Sequence, residues 1–155
     1  MKKTTFIFYL FLCFSTLLIM INSCTKNKNC KQNNISSSSR TSHNIGQNCI
    51  NCHTYGGKGE GCFNIAGSIY DSITKSPLTY GNVKLYTQPN GKGTLKYKVN
   101  LDKSGNYYST ENIDVNGLYP AVTGPDGKNH YMSSPITSGA CNSCHGVSTP
   151  SITAH

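Results

Sequence analysis

The chain has 155 residues, with 14 Lys and Arg against 6 Asp and Glu and a formal net charge of +8. Once any leader is set aside, that length suits one small domain. The few acidic residues form no paired-carboxylate or Ser-His-Asp set, so a hydrolase reading has no support. The basic residues carry neither aromatic interleaving nor a nucleic-acid motif, which leaves no case for DNA or RNA binding.

Residues 1–23 read as an export signal. Met1-Lys2-Lys3 gives a positive start, and Phe6 to Ile21 is an uncharged apolar run, short for a membrane span. Ile21-Asn22-Ser23-Cys24 resembles the lipobox of bacterial lipoproteins, in which the Cys is lipidated and becomes the mature N-terminus. The resemblance implies lipidation at Cys24 and a lipid-anchored protein of the bacterial cell envelope, facing the periplasm or the cell surface. Ordinary signal cleavage nearby and an uncleaved anchor are the alternatives. Residues 24–42, rich in Ser, Asn and Lys, read as a flexible tether, because they hold too little apolar surface to offset their ordering entropy. Lys26, Lys28, Lys31 and Arg40 there suit either a solvated leash or an anionic membrane surface.

Segment 43–62 contains Cys49-Ile50-Asn51-Cys52-His53, and segment 135–155 contains Cys141-Asn142-Ser143-Cys144-His145. In Cys-x-x-Cys-His the two thiols each form a thioether to one haem vinyl group, and the His becomes the proximal iron ligand. Two copies behind an export signal point to two covalent c-type haems, held by Cys49, Cys52, Cys141 and Cys144 with His53 and His145 as proximal ligands. His43 is the first choice for a distal ligand, to either haem. Met132 and His130 compete for the second distal position, and the C-terminal His155 ranks last. Cys30 and Cys62 remain. They pair as a disulfide in an oxidising compartment, or Cys62 is a small buried hydrophobe and Cys30 a free thiol. The Gly-rich stretch from Tyr55 to Gly61 has no strand before it or helix after it, so it is not a phosphate loop; it suits backbone passing close to the porphyrin edge.

Residues 63–134 read as strands. Phe63, Ile65, Gly67 and Ile69 alternate with Asn64, Ala66, Ser68 and Tyr70; Asn82–Thr87 places Val83 and Leu85 inward; Leu95–Leu101 is apolar at every odd position. Asn106–Thr110, Tyr119–Val122 and His130–Ser133 complete the set, with turns at Pro89-Asn90-Gly91 and Asp102-Lys103-Ser104-Gly105. The expected fold is mainly β, a small antiparallel Ig-like or prealbumin-like β-sandwich flanked by two c-haem-binding segments.

Gly67-Ser68-Ile69-Tyr70-Asp71, Gly81-Asn82-Val83-Lys84-Leu85-Tyr86 and Ser104-Gly105-Asn106-Tyr107-Tyr108 resemble the carboxypeptidase-regulatory-like β-sandwich. With the flanking motifs, the composite resembles small bacterial dihaem c-type cytochromes that carry such a sandwich between their two haem sites. The resemblance implies a membrane-tethered electron carrier, not an enzyme, serving redox partner proteins outside the cytoplasm. A haem enzyme or a redox or gas sensor with one open iron site is the alternative, as is a structural or display module stapled by haem or zinc. A zinc ribbon expects roughly 15–20 residues between its knuckles, far fewer than separate Cys52 from Cys141, and the βαβ context of a thioredoxin-like pair is absent.

Overall fold

The computed structural model describes residues 30–155. The expected signal (1–23) and the lipidation site at Cys24 lie outside them, as do residues 25–29. Among the described residues no helix is long and apolar enough to cross a membrane.

Among the described residues seven strands form: β1 (Ile65–Asp71), β2 (Asn82–Tyr86), β3 (Leu95–Asn100), β4 (Asn106–Ser109), β5 (Tyr119–Thr123), β6 (Asn129–Tyr131) and β7 (Ile152–Ala154). They form two sheets, ordered β4-β1-β7 and β3-β2-β5-β6, the small β-sandwich that the alternation predicts. Directly paired residues share a sheet face, so the register explains the core. Val83 lies opposite both Val99 and Val122, and Ile69 lies opposite Ile152. These side chains join Ile65, Leu85, Leu101 and Tyr107 in the main apolar cluster between the sheets. In the β3–β4 turn, Asp102 Oδ1 accepts the backbone N–H groups of Ser104 (2.9 Å) and Asn106 (3.0 Å), which fixes the turn.

Three expectations need correction. The inward alternation of β3 holds at Val99 but fails at Leu95, which is 44% exposed: a register shift between Leu85 and Tyr86 sets Leu95 opposite Tyr86, beyond the core. β7 was not expected; it pairs parallel to β1, so the second motif's segment completes a sheet instead of merely flanking it. Residues 30–42 are docked rather than tethering. Cys30 and Cys62 form a disulfide, and Ile35 bridges to Ser109. Ser36 is buried: its N–H donates to Tyr108 O (2.9 Å), and its hydroxyl donates to Asn100 O (2.6 Å) and accepts Tyr108 N–H (3.0 Å). A count of apolar residues missed this, because the segment is held by pairing with the open edge of β4 and by a covalent bond.

Candidate haem-attachment sites

Each Cys-x-x-Cys-His motif opens on one turn of 3-10 helix, Cys49–Asn51 and Cys141–Ser143. At three residues per turn, side chains three apart eclipse, so both thiols of each motif emerge on one side. The N–H of the following His donates to the carbonyl of the first Cys in both cases, His53 to Cys49 (2.9 Å) and His145 to Cys141 (3.0 Å).

The imidazoles are oriented by the same device. His53 Nδ1 lies 2.9 Å from Glu60 O, and His145 Nδ1 lies 2.9 Å from Pro150 O. A carbonyl only accepts, so each Nδ1 carries the proton and each Nε2 lone pair is free to bind a metal. Gly59 makes the first arrangement possible: a Cβ there would lie 2.7 Å from His53 Cγ and Nδ1. The Gly-rich stretch thus brings backbone against the imidazole. Behind it, His53 stacks on Phe63 (ring centroids 4.0 Å, interplanar angle 5°), and Phe63 on Tyr108 (4.9 Å, 13°).

The first motif opens into a cleft of about 590 Å³ that also receives His43, Arg40 and Lys58. The His43 and His53 ring centroids are 6.0 Å apart. Two imidazoles on opposite sides of one metal, each at the roughly 2.0 Å usual for histidine, have centres about that far apart. His43 is thus placed beside the first motif.

The second motif opens into a cavity of about 340 Å³ between the sheets, lined by Cys141, Cys144 and His145 together with His130, Met132 and apolar residues such as Val122. His130 lies opposite Val122 on β6 but is itself exposed, at the cavity's edge, whereas Met132 packs against the core. Both second-site distal candidates therefore share the cavity with His145. His155 lines neither cleft; its Nδ1 donates to Asp71 Oδ2 (2.9 Å), which ties down the C-terminus.

Burial pushes the Cys49 thiol up, with smaller contributions from Asp102 and Cys52. Burial also pushes Cys141 up to about 11. A neutral sulfur suits both positions better than a thiolate, and a thioether is such a sulfur. Among the described residues no three or more His, Cys, Asp or Glu converge to hold a bare metal ion.

Sequence reasoning did not foresee Phe63 as the platform for His53, or Glu60 and Pro150 as carbonyl partners. The partners are backbone atoms, which carry no residue signature. No protein-family model, curated protein or solved structure matches the chain.

Proposed function

We propose that this chain is a membrane-tethered dihaem cytochrome c that carries electrons between redox partners outside the cytoplasm. The observation that carries the reading is a duplicated local geometry. Both Cys-x-x-Cys-His turns aim two thiols to one side, hold the His Nδ1 on a backbone carbonyl, and open into a cleft that already holds a second candidate ligand. The residues suit haem: Cys49, Cys52 and His53 with His43 at one site, and Cys141, Cys144 and His145 with Met132 or His130 at the other.

Bound there, haem supplies one-electron chemistry at iron. The chain's own part would be to fix the four sulfurs, present two Nε2 lone pairs, and line a cleft beside each motif. Arg40 and Lys58 in the first cleft offer positive charge to haem's peripheral carboxylates. The carrier reading, as against an enzyme or sensor, rests on the sixth-ligand candidate present at each cleft. The Cys30–Cys62 disulfide supports an oxidising compartment. Lipid anchorage rests on the Cys24 motif alone.

The test is reduced-minus-oxidised spectroscopy with pyridine haemochrome quantitation, on protein co-expressed with haem-attachment machinery. Two covalent haems per chain with low-spin bands and no carbon monoxide shift are expected. Carbon monoxide binding at one haem would favour the enzyme or sensor reading, and absence of covalent haem would overturn the cytochrome reading.

A further inference from the structure

We propose that the two attachment motifs are halves of one coupled centre, set back to back across β1, with Tyr107 positioning the second half. The proposal rests on the dihaem reading and deepens it.

Alternation along β1 separates the two sides. Ala66, opposite Tyr108, belongs to the small apolar cluster against which Cys49 and Ile50 of the first motif pack. Gly67, opposite Tyr107, faces the other way, toward the core that receives Cys141. The second motif is pinned to the same residue that seats the first. Ala66 N–H donates to Gly139 O (2.9 Å), and Ala66 bridges Ala140 in parallel. One alanine thus meets the first motif through its side chain and the second through its backbone.

Tyr107 is 1% exposed. Its ring passes over Gly67, where a Cβ would lie 2.5 Å from the hydroxyl. Tyr107 belongs to the apolar cluster against which Cys141 packs, and both line the cavity of the second motif. The Cys141 thiol donates to Gly139 O (3.5 Å). Adding that thiol across a vinyl group forms a carbon–sulfur bond and moves its hydrogen to carbon, so the Gly139 contact is lost. The packing of the Tyr107 ring in the cavity that holds Cys141 does not depend on that hydrogen and survives attachment.

Groups attached this close interact optically and electrostatically. The experiment uses full-length haem-loaded protein, counts haem first, then records Soret circular dichroism and a redox titration. The wild type is expected to give a two-signed Soret couplet. Tyr107→Leu, which removes the ring over Gly67, should retain two haems but lose couplet intensity and shift one of the two potentials. Gly67→Ala, which displaces the phenol, should do the same. Two haems with no couplet in the wild type would overturn the coupled centre and leave the dihaem reading standing. Unchanged couplet and potentials in both variants would overturn the role of Tyr107. Fewer than two haems in the wild type would sink the reading and the proposal together. If either variant fails to fold, the wild-type couplet still decides the coupling and the other variant the role of Tyr107.

Discussion

Removing the Cys30–Cys62 disulfide should loosen the first site and spare the second. The bridge spans a sequence separation of 32 and encloses His43, Cys49, Cys52 and His53. For a loop of that length the chain-entropy relation gives about 12 cal/mol/K, which is about 3.7 kcal/mol at room temperature. With an unfolding entropy of about 2.1 cal/mol/K per residue over the described residues, this lowers Tm by about 14 °C. The variant is Cys30→Ser with Cys62→Ser, which leaves no stray thiol. Differential scanning calorimetry reads the stability, and peptide mass spectrometry reads haem occupancy at each motif. Occupancy should fall at Cys49 and Cys52 and hold at Cys141 and Cys144, which lie outside the loop. An unchanged Tm, or equal loss at both motifs, would refute the argument that this loop organises the first site.

Three further outcomes follow from the geometry. Gly59→Ala should push the His53 imidazole off the Glu60 carbonyl, so the first haem becomes partly high-spin in its visible spectrum while the second does not. Phe63→Ala removes a buried ring stacked between His53 and Tyr108 and should cost about 3–5 kcal/mol in urea unfolding. Without haem, Cys141 keeps its proton to higher pH in the folded chain than in the unfolded one. The folded state then binds more protons between about 8.5, the free-thiol value, and about 11. Apoprotein stability should therefore fall as pH rises through that window. In haem-loaded protein the sulfur has no proton to lose, and this loss should be missing from unfolding curves across the same range.

The fold was legible wherever period-two alternation met a buried face. β2 and β4 declare themselves because Val83, Leu85 and the Tyr107 position face the core, and Asp102 marks the turn before β4. β7 was not legible: Ile152-Thr153-Ala154 is three residues long and pairs parallel to a strand far away in sequence, so no local turn announces it. The docking of Asn34–Ser36 was hidden because backbone hydrogen bonds to an open edge carry no hydrophobic period. The candidate sites divide the same way. The candidate thiols and proximal imidazoles follow from Cys-x-x-Cys-His spacing, whereas the position of His43 beside the first motif is a tertiary contact, 6.0 Å from His53, that spacing does not carry.

Two motifs of one local design end in different surroundings, and this difference should be measurable as two potentials. The first cleft is lined by polar and charged groups, among them Arg40, Lys58 and Asn48, and its sixth-ligand candidate is a second imidazole. The second lies between the sheets among Val83, Val122, Ile136 and Ile152, and Met132 packs there against the core. A thioether ligand raises a haem potential relative to a second histidine, and the apolar shell is a further control on it. Spectroelectrochemistry should therefore resolve two one-electron waves, with the more positive one belonging to the second site. Met132→His should move that wave to lower potential and leave the other in place. If Met132→His moved neither wave and His130→Ala opened the second iron to carbon monoxide, His130 would be the ligand, and the assignment of the more positive wave to a methionine-ligated second site would fail.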